Sequence, residues 1–206
     1  RFPEDFLELP DELLVKTLTG KARLIPLIDA HDEPISTFIG FRDGPAEEAD
    51  RVRRGYESVI NARLRDSKFF FSHDREKPLE SYLEELKKVT FQENLGSVHD
   101  KVQRMRKIAE RLSYDLEGFD REIVDRTVKL AKADLVTEVV DEFPSLEGTI
   151  GAYYAELDGE PDDVVQGIKN HYSPRSSEDD PPKNFAAIAT SIADNMDTLF
   201  GSFLIG

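Results

Sequence analysis

Apolar residues recur along the chain at two spacings, and the change from one to the other divides it. Over residues 1–50 the apolar runs are short and cut by turn signals. Pro10-Asp11-Glu12 ahead of Leu13, Leu14 and Val15 predicts a helix start, with the acids at its positive end. Arg23 to Ile28 and Ile35 to Phe41 are β-rich, and the polar stretch Asp29 to Pro34 between them predicts a hairpin. From Pro45 onward the spacing becomes three and four. Ala46 to Lys68 carries Val52, Tyr56, Val59, Ile60 and Leu64; Leu79, Leu83, Leu86 and Val89 continue the pattern. Val102, Met105, Ile108, Ala109 and Leu112 fall within about 120° of arc, a core-facing width. Ile123 to Val140 reads as one further helix, ended near Glu142-Phe143-Pro144. Pro161-Asp162-Asp163 opens a helix to about Asn170, and Ser173 to Asn184 is a loop. Phe185 to Leu199 is a last helix, with Gly201 marking its end. The expected fold is mainly α: a small α+β segment over 1–48, then a helical domain over 49–206, with the boundary near 44–50. No internal repeat is visible, and Ser176 to Pro182 is the one low-complexity stretch.

The chain has 206 residues, a net charge of −15, no cysteine and four histidines, His31, His73, His99 and His171. Disulfides and thiolate metal sites are therefore excluded. No apolar run approaches the ~20 residues of a membrane span, and no cationic leader opens the chain. The expectation is a soluble cytoplasmic protein. It begins at Arg1 and stops just after Phe203-Leu204-Ile205, which reads as an internal piece of a longer polypeptide. The acidity argues against a dedicated nucleic-acid domain, although local basic patches count for more at a contact surface.

Four constellations carry possible chemistry. Lys101, Arg104, Lys107 and Arg111 share one helix side opposite Met105; they suit RNA phosphate, or a solvated face paired with acids such as Glu110. Arg51, Arg53, Arg54, Arg63 and Arg65 suit phosphate too, with Glu47, Glu48, Asp50, Glu57 and Asp66 close enough to neutralise them. Asp134, Asp194 and Asp197 sit in apolar helices, where a carboxylate is costly unless it binds a divalent ion, caps, or pairs with Lys132 or Lys101. His171-Tyr172-Ser173-Pro174-Arg175 offers an aromatic face and a guanidinium, either to RNA or to a helix end. His73-Asp74 and His99-Asp100 are two-residue matches of little weight. No Gly-rich phosphate loop and no Ser-His-Asp or Cys-His set is present.

Several ordered stretches resemble the glycyl-tRNA synthetase β-subunit family: Arg63-Leu64-Arg65-Asp66-Ser67-Lys68-Phe69-Phe70-Phe71, Val89-Thr90-Phe91-Gln92-Glu93-Asn94-Leu95-Gly96-Ser97, Asp100-Lys101-Val102-Gln103-Arg104 and Leu130-Ala131-Lys132-Ala133-Asp134-Leu135-Val136-Thr137. Glu142 to Gly148, Tyr153-Tyr154-Ala155, the 171–175 motif and Ala193 to Leu199 complete the series. The resemblance implies a two-subunit glycine–tRNA ligase, a heterotetramer. Its α subunit holds the class II site, with ATP and Mg, that makes glycyl-adenylate. The β subunit serves tRNA binding and aminoacylation.

The resemblance further implies that residues 49–206 are an HD-like helical domain, the fold of many metal phosphohydrolases. Such a site needs a first His, a His-Asp pair and a later Asp around a metal. These places fall on Lys101, on Ala133-Asp134 and on Asp194, so both histidines are absent. The expectation is a degenerate site of Lys101, Asp134 and Asp194, with Lys101 paired to one of the aspartates, no metal, no catalytic residue and no cofactor in this stretch. It would act as a scaffold contacting the α subunit, the rest of β and tRNA(Gly) through Lys101, Arg104, Arg111, Tyr172 and Arg175. The rival readings are an active HD phosphohydrolase and a purely structural module.

Overall fold

The computed structural model describes residues 1–20, 22–43, 48–115 and 120–205. They form two compact units, Arg1–Asp74 and Arg75–Gly206.

The first unit opens with a 3-10 turn, Glu4–Glu8, and helix α1, Asp11–Thr19. Strands β1, Ile25–Ile28, and β2, Pro34–Ile39, then pair antiparallel as the spacing predicts, with Ile25 opposite Ile39. Asp29 makes their turn by accepting from the N–H groups of His31 and Glu33. Helix α2 follows, Ala49–Asp74. It buries Ile60 and Leu64 alongside α1, whose Leu13, Leu14 and Leu18 are fully enclosed. A buried Thr17–Ser67 hydrogen bond of 2.9 Å joins the two helices. The compact division therefore falls after Asp74, and α2 groups with the α+β segment rather than with the helices that follow. The apolar side of α2 is used on α1, which places it there. The first residues of the expected boundary, and the start of the expected helix at Pro45-Ala46, lie outside the described residues.

The second unit begins with a 3-10 stretch, Leu79–Lys88, and the short hairpin β3, Thr90–Gln92, with β4, Gly96–Ser97. Helices α3, Val98–Asp115, and α4, Arg121–Leu130, come next. Ser97 and Asp100 exchange hydrogen bonds as a capping box at the start of α3, and Asp120 caps α4. After a 3-10 turn at Ala133–Val136 come α5, Glu138–Glu142, α6, Thr149–Leu157, α7, Asp162–Asn170, and α8, Phe185–Ile205. Met105 and Ala109 of α3, Val124 and Val128 of α4, and Ala186, Ala189 and Ala193 of α8 form one core cluster. The alanines let α8 approach closely.

Three expectations are corrected here. The single helix over Ile123–Val140 is broken between Leu130 and Glu138, because Lys132 and Asp134 turn their side chains inward to polar partners. Gly201 does not end the last helix; it is buried within α8, where a Cβ would lie 2.6 Å from Leu95 Cδ1. The Leu79–Val89 periodicity belongs to 3-10 rather than α geometry. No helix among the described residues is long and apolar enough to cross a membrane.

Candidate functional site

Two polar pairs on α3 and α8 begin the site. Lys101 and Arg104 are one turn apart on α3, as are Asp194 and Asp197 on α8, so two cations meet two carboxylates across the helix contact. Lys101 Nζ lies 2.7 Å from Asp194 Oδ1 and 3.5 Å from Asp197 Oδ2, and donates to Thr198 Oγ1 at 2.7 Å. Arg104 grips Asp197 with two nitrogens, Nε at 2.6 Å and Nη2 at 3.1 Å. Its Nη1 donates to the Leu95 carbonyl at 2.7 Å, which ties the β3–β4 turn to the same helix pair.

The break after α4 supplies the third cation. Lys132 Nζ reaches the second oxygen of Asp194 at 2.5 Å, so one carboxylate bridges two ammonium groups. Burial pushes the Asp194 carboxyl up, but Lys132 and Lys101 outweigh this and hold it below the usual range. Burial also lowers the Lys132 ammonium, only partly restored by Asp194. Lys132 further donates to His171 Nε2 at 3.0 Å and lies 3.8 Å from the Tyr172 ring.

His171 is fully enclosed. Burial, then the neighbouring Lys132, lowers its imidazole to about 3, so the ring is neutral at pH 7. That fixes the tautomer: Nδ1–H donates to the Ile168 carbonyl at 2.7 Å, and Nε2 accepts from Lys132.

Asp134 takes another path. Its Oδ2 accepts from the N–H groups of Gly148 at 2.6 Å and Gly151 at 3.1 Å, at the start of α6. Its Oδ1 has no hydrogen-bond partner among the described residues. Burial raises this carboxyl to about 6, against the pull of the two glycine N–H groups. Both glycines are needed: Gly148 has φ +77° with the Tyr172 ring against it, and a Cβ on Gly151 would meet Asp134 Oδ2 at 2.8 Å.

Of the expected degenerate site, Lys101 and Asp194 are brought together, and Asp134 is not paired with Lys101. The expected basic side of α3 divides: Lys107 and Arg111 are exposed, whereas Lys101 is buried and Arg104 is engaged with Asp197 and Leu95. Lys101 thus cannot meet a phosphate without leaving its carboxylates. Tyr172 is half-buried against His171, and Arg175 is exposed, donating to the Glu147 carbonyl at 3.1 Å. The expected pairing of the helix carboxylates with Lys132 or Lys101 is found at Asp194, which takes both lysines; sequence reasoning missed the Lys132–His171 contact and the Arg104–Asp197 grip. The lysine inside the apolar run Leu130–Val136 was the available signal.

The donor set does not suit a metal ion. Ammonium groups take both oxygens of Asp194, and the one enclosed imidazole already accepts from Lys132. Among the described residues no group of three or more His, Cys, Asp or Glu is placed to hold a cation.

A family model described as glycyl-tRNA synthetase beta subunit matches residues 1–206. The glycine–tRNA ligase beta subunit of Neisseria meningitidis serogroup C is 38% identical over 205 residues, covering all of this chain and 30% of the relative. That of Moorella thermoacetica is 39% identical over 207 residues and that of Oceanobacillus iheyensis 38% over 210, with the same coverage. The chain thus spans 30% of the length of these relatives. With the match running along its whole length, the chain belongs to the glycyl-tRNA synthetase β-subunit family.

Proposed function

We propose that the chain is part of the β subunit of a cytoplasmic glycine–tRNA ligase, serving tRNA binding and subunit assembly without a catalytic centre of its own. On this reading glycine, ATP and Mg belong to the α subunit of a heterotetramer. The second unit is an HD-like helical fold kept as a scaffold. The observation that carries the scaffold reading is the Asp194 carboxylate bridging Lys101 and Lys132 at 2.7 and 2.5 Å. An HD hydrolase needs imidazole and carboxylate around a metal at this place; fixed ammonium groups supply the positive charge instead. Of the expected set, Arg111 and Arg175 are the cations with exposed side chains, and Tyr172 lies beside Arg175; we take these as the groups that meet a tRNA backbone. The apolar end of α8, with Leu199, Phe200, Phe203 and Leu204 exposed, suits assembly.

The test uses the assembled enzyme. Arg111→Ala and Arg175→Ala should each weaken tRNA(Gly) binding and lower the salt slope by about one, with subunit association unchanged. Unchanged affinity and slope in both would remove Arg111 and Arg175 as tRNA contacts. Stoichiometric divalent metal with phosphoester turnover in the wild-type protein would replace the scaffold reading with a hydrolase.

A further inference from the structure

Helix α2 has a face that nothing described so far uses. At 100° per residue, Arg51, Arg54, Ser58, Ala62, Arg65 and Phe69 fall within about 80° of arc, and all six are exposed. The buried residues Ile60, Leu64, Ser67 and Asp74 are centred on the opposite side of the helix, so this stripe is its outermost face. From Arg51 to Phe69 it runs about 27 Å.

The chemistry along the stripe is one-sided. It contains three arginines and no carboxylate, in a chain of net charge −15. Arg51 is held by Glu48 at 3.1 Å; Arg54 lies near enough to Glu57 to help lower it, after the N-terminal ammonium and Arg53, and neither Arg54 nor Arg65 has a carboxylate within salt-bridge distance among the described residues. Between the two arginine groups lie only small side chains, Ser58 and Ala62, which leave the helix surface open to close approach. At the far end Phe69 is 63% exposed and lies parallel to His73, with ring centroids 6.1 Å apart and planes within 1°.

Arginine and phenylalanine also serve protein interfaces, but the core of such an interface gathers large apolar groups, and this stripe has a single one, Phe69, at its end. Separated guanidinium groups followed by a flat exposed aromatic pair suit a polyanion carrying stackable bases. We infer that the outer stripe of α2 is an RNA-docking surface, on which Arg54 and Arg65 hold backbone phosphates of the tRNA substrate and Phe69 stacks on an unpaired base. This rests on the reading of the protein as a tRNA-binding subunit.

The experiment measures tRNA(Gly) binding by the full-length β subunit assembled with its α subunit, by anisotropy across a salt series. Arg54→Ala/Arg65→Ala should lower the salt slope by about two and weaken binding about tenfold or more near 0.1 M salt. Arg54→Lys/Arg65→Lys should keep the slope, since a point charge suffices for phosphate. Phe69→Ala should weaken binding about fivefold or more at unchanged slope, because stacking releases no counterions. Wild-type affinity and slope in the double alanine variant would overturn the inference while leaving tRNA binding elsewhere intact. Loss of subunit association at unchanged slope would overturn it in favour of a protein interface. A wild-type enzyme that does not bind tRNA would overturn both this inference and the reading beneath it.

Discussion

Replacing Asp194 by Asn keeps the shape of the side chain and removes the one charge that two buried lysines share. Lys101 would retain Asp197 at 3.5 Å and Thr198 at 2.7 Å. Lys132 would retain the neutral His171, the Tyr172 ring at 3.8 Å and the more distant pull of Asp134, but no direct carboxylate contact. The loss therefore falls mainly on Lys132, whose side chain is 4% exposed. Leaving a buried charge without its partner costs about 3–5 kcal/mol, and a desolvated cation–π contact returns about 2 kcal/mol at most. We expect Asp194→Asn to destabilise the protein by about 3 kcal/mol at pH 7. The cost should shrink as pH rises. Burial already places the Lys132 ammonium below its ordinary value, and Asp194 is what raises it. Without Asp194 the folded value falls further, while the unfolded value stays put. Between the two the unfolded chain binds more protons, so stability rises with pH by up to about 1.4 kcal/mol per unit. The assay is urea denaturation followed by helical circular dichroism, suited to a chain with no tryptophan, at pH 7, 8 and 9. A cost below about 1 kcal/mol at pH 7, or one that does not change with pH, would refute the reasoning. A companion variant, Lys101→Met/Lys132→Met/Asp194→Leu, removes all three charges and should lie within about 2 kcal/mol of wild type or above it.

Two further predictions follow from Asp134 and its glycines. Burial raises Asp134 to about 6, so its stabilising contribution is present below the unfolded value near 3.8 and lost as pH rises through 6; His171, lowered by burial to about 3, has the opposite slope over the same range. Asp134→Asn removes the first contribution alone, so paired thermal melts should show the variant gaining about 3 kcal/mol on wild type between pH 4 and pH 7, and parallel curves would refute this. Gly151→Ala should cost about 1–3 kcal/mol, because its Cβ meets Asp134 Oδ2 at 2.8 Å, whereas Gly55→Ala, with nothing within 4 Å, should stabilise by about 0.4–1 kcal/mol. Equal melting temperatures for the two alanine variants would remove the close-approach argument.

Most of the helices were readable because their faces differ: α2, α3 and α7 each set an apolar stripe against a polar surface, which is what periodicity detects. Helix α6 escaped notice because Ile150, Gly151, Ala152, Tyr154 and Ala155 are all buried, so little polar face contrasts with an apolar one. The break after α4 was hidden for a different reason. Leu130-Ala131-Lys132-Ala133 is good helix sequence, and the partners that interrupt it, Asp194 and the α6 glycines, lie far along the chain. Within the site, the cost of a carboxylate in an apolar helix already pointed to Lys101 or Lys132 as partners of Asp194, and the resemblance to the family singled out Lys101. Charge spacing alone placed Lys101 and Arg104 on a solvent-facing side, since nothing local records that α8 covers them with Asp194 and Asp197. The Pro-Asp start of α1 and the Asp29 turn, by contrast, were read locally because each is decided within a few residues.

The ionic cluster joins parts of the chain made at different times. Lys132 precedes Asp194 by 62 residues and Lys101 precedes Asp197 by 96. At about 5–20 residues per second, Lys132 is made some 3 to 12 seconds before its carboxylate. Until then both ammonium groups stay hydrated, and α3 and α4 cannot close over them without stranding charge. An interior that holds these lysines away from water is therefore complete only once α8 supplies Asp194 and Asp197.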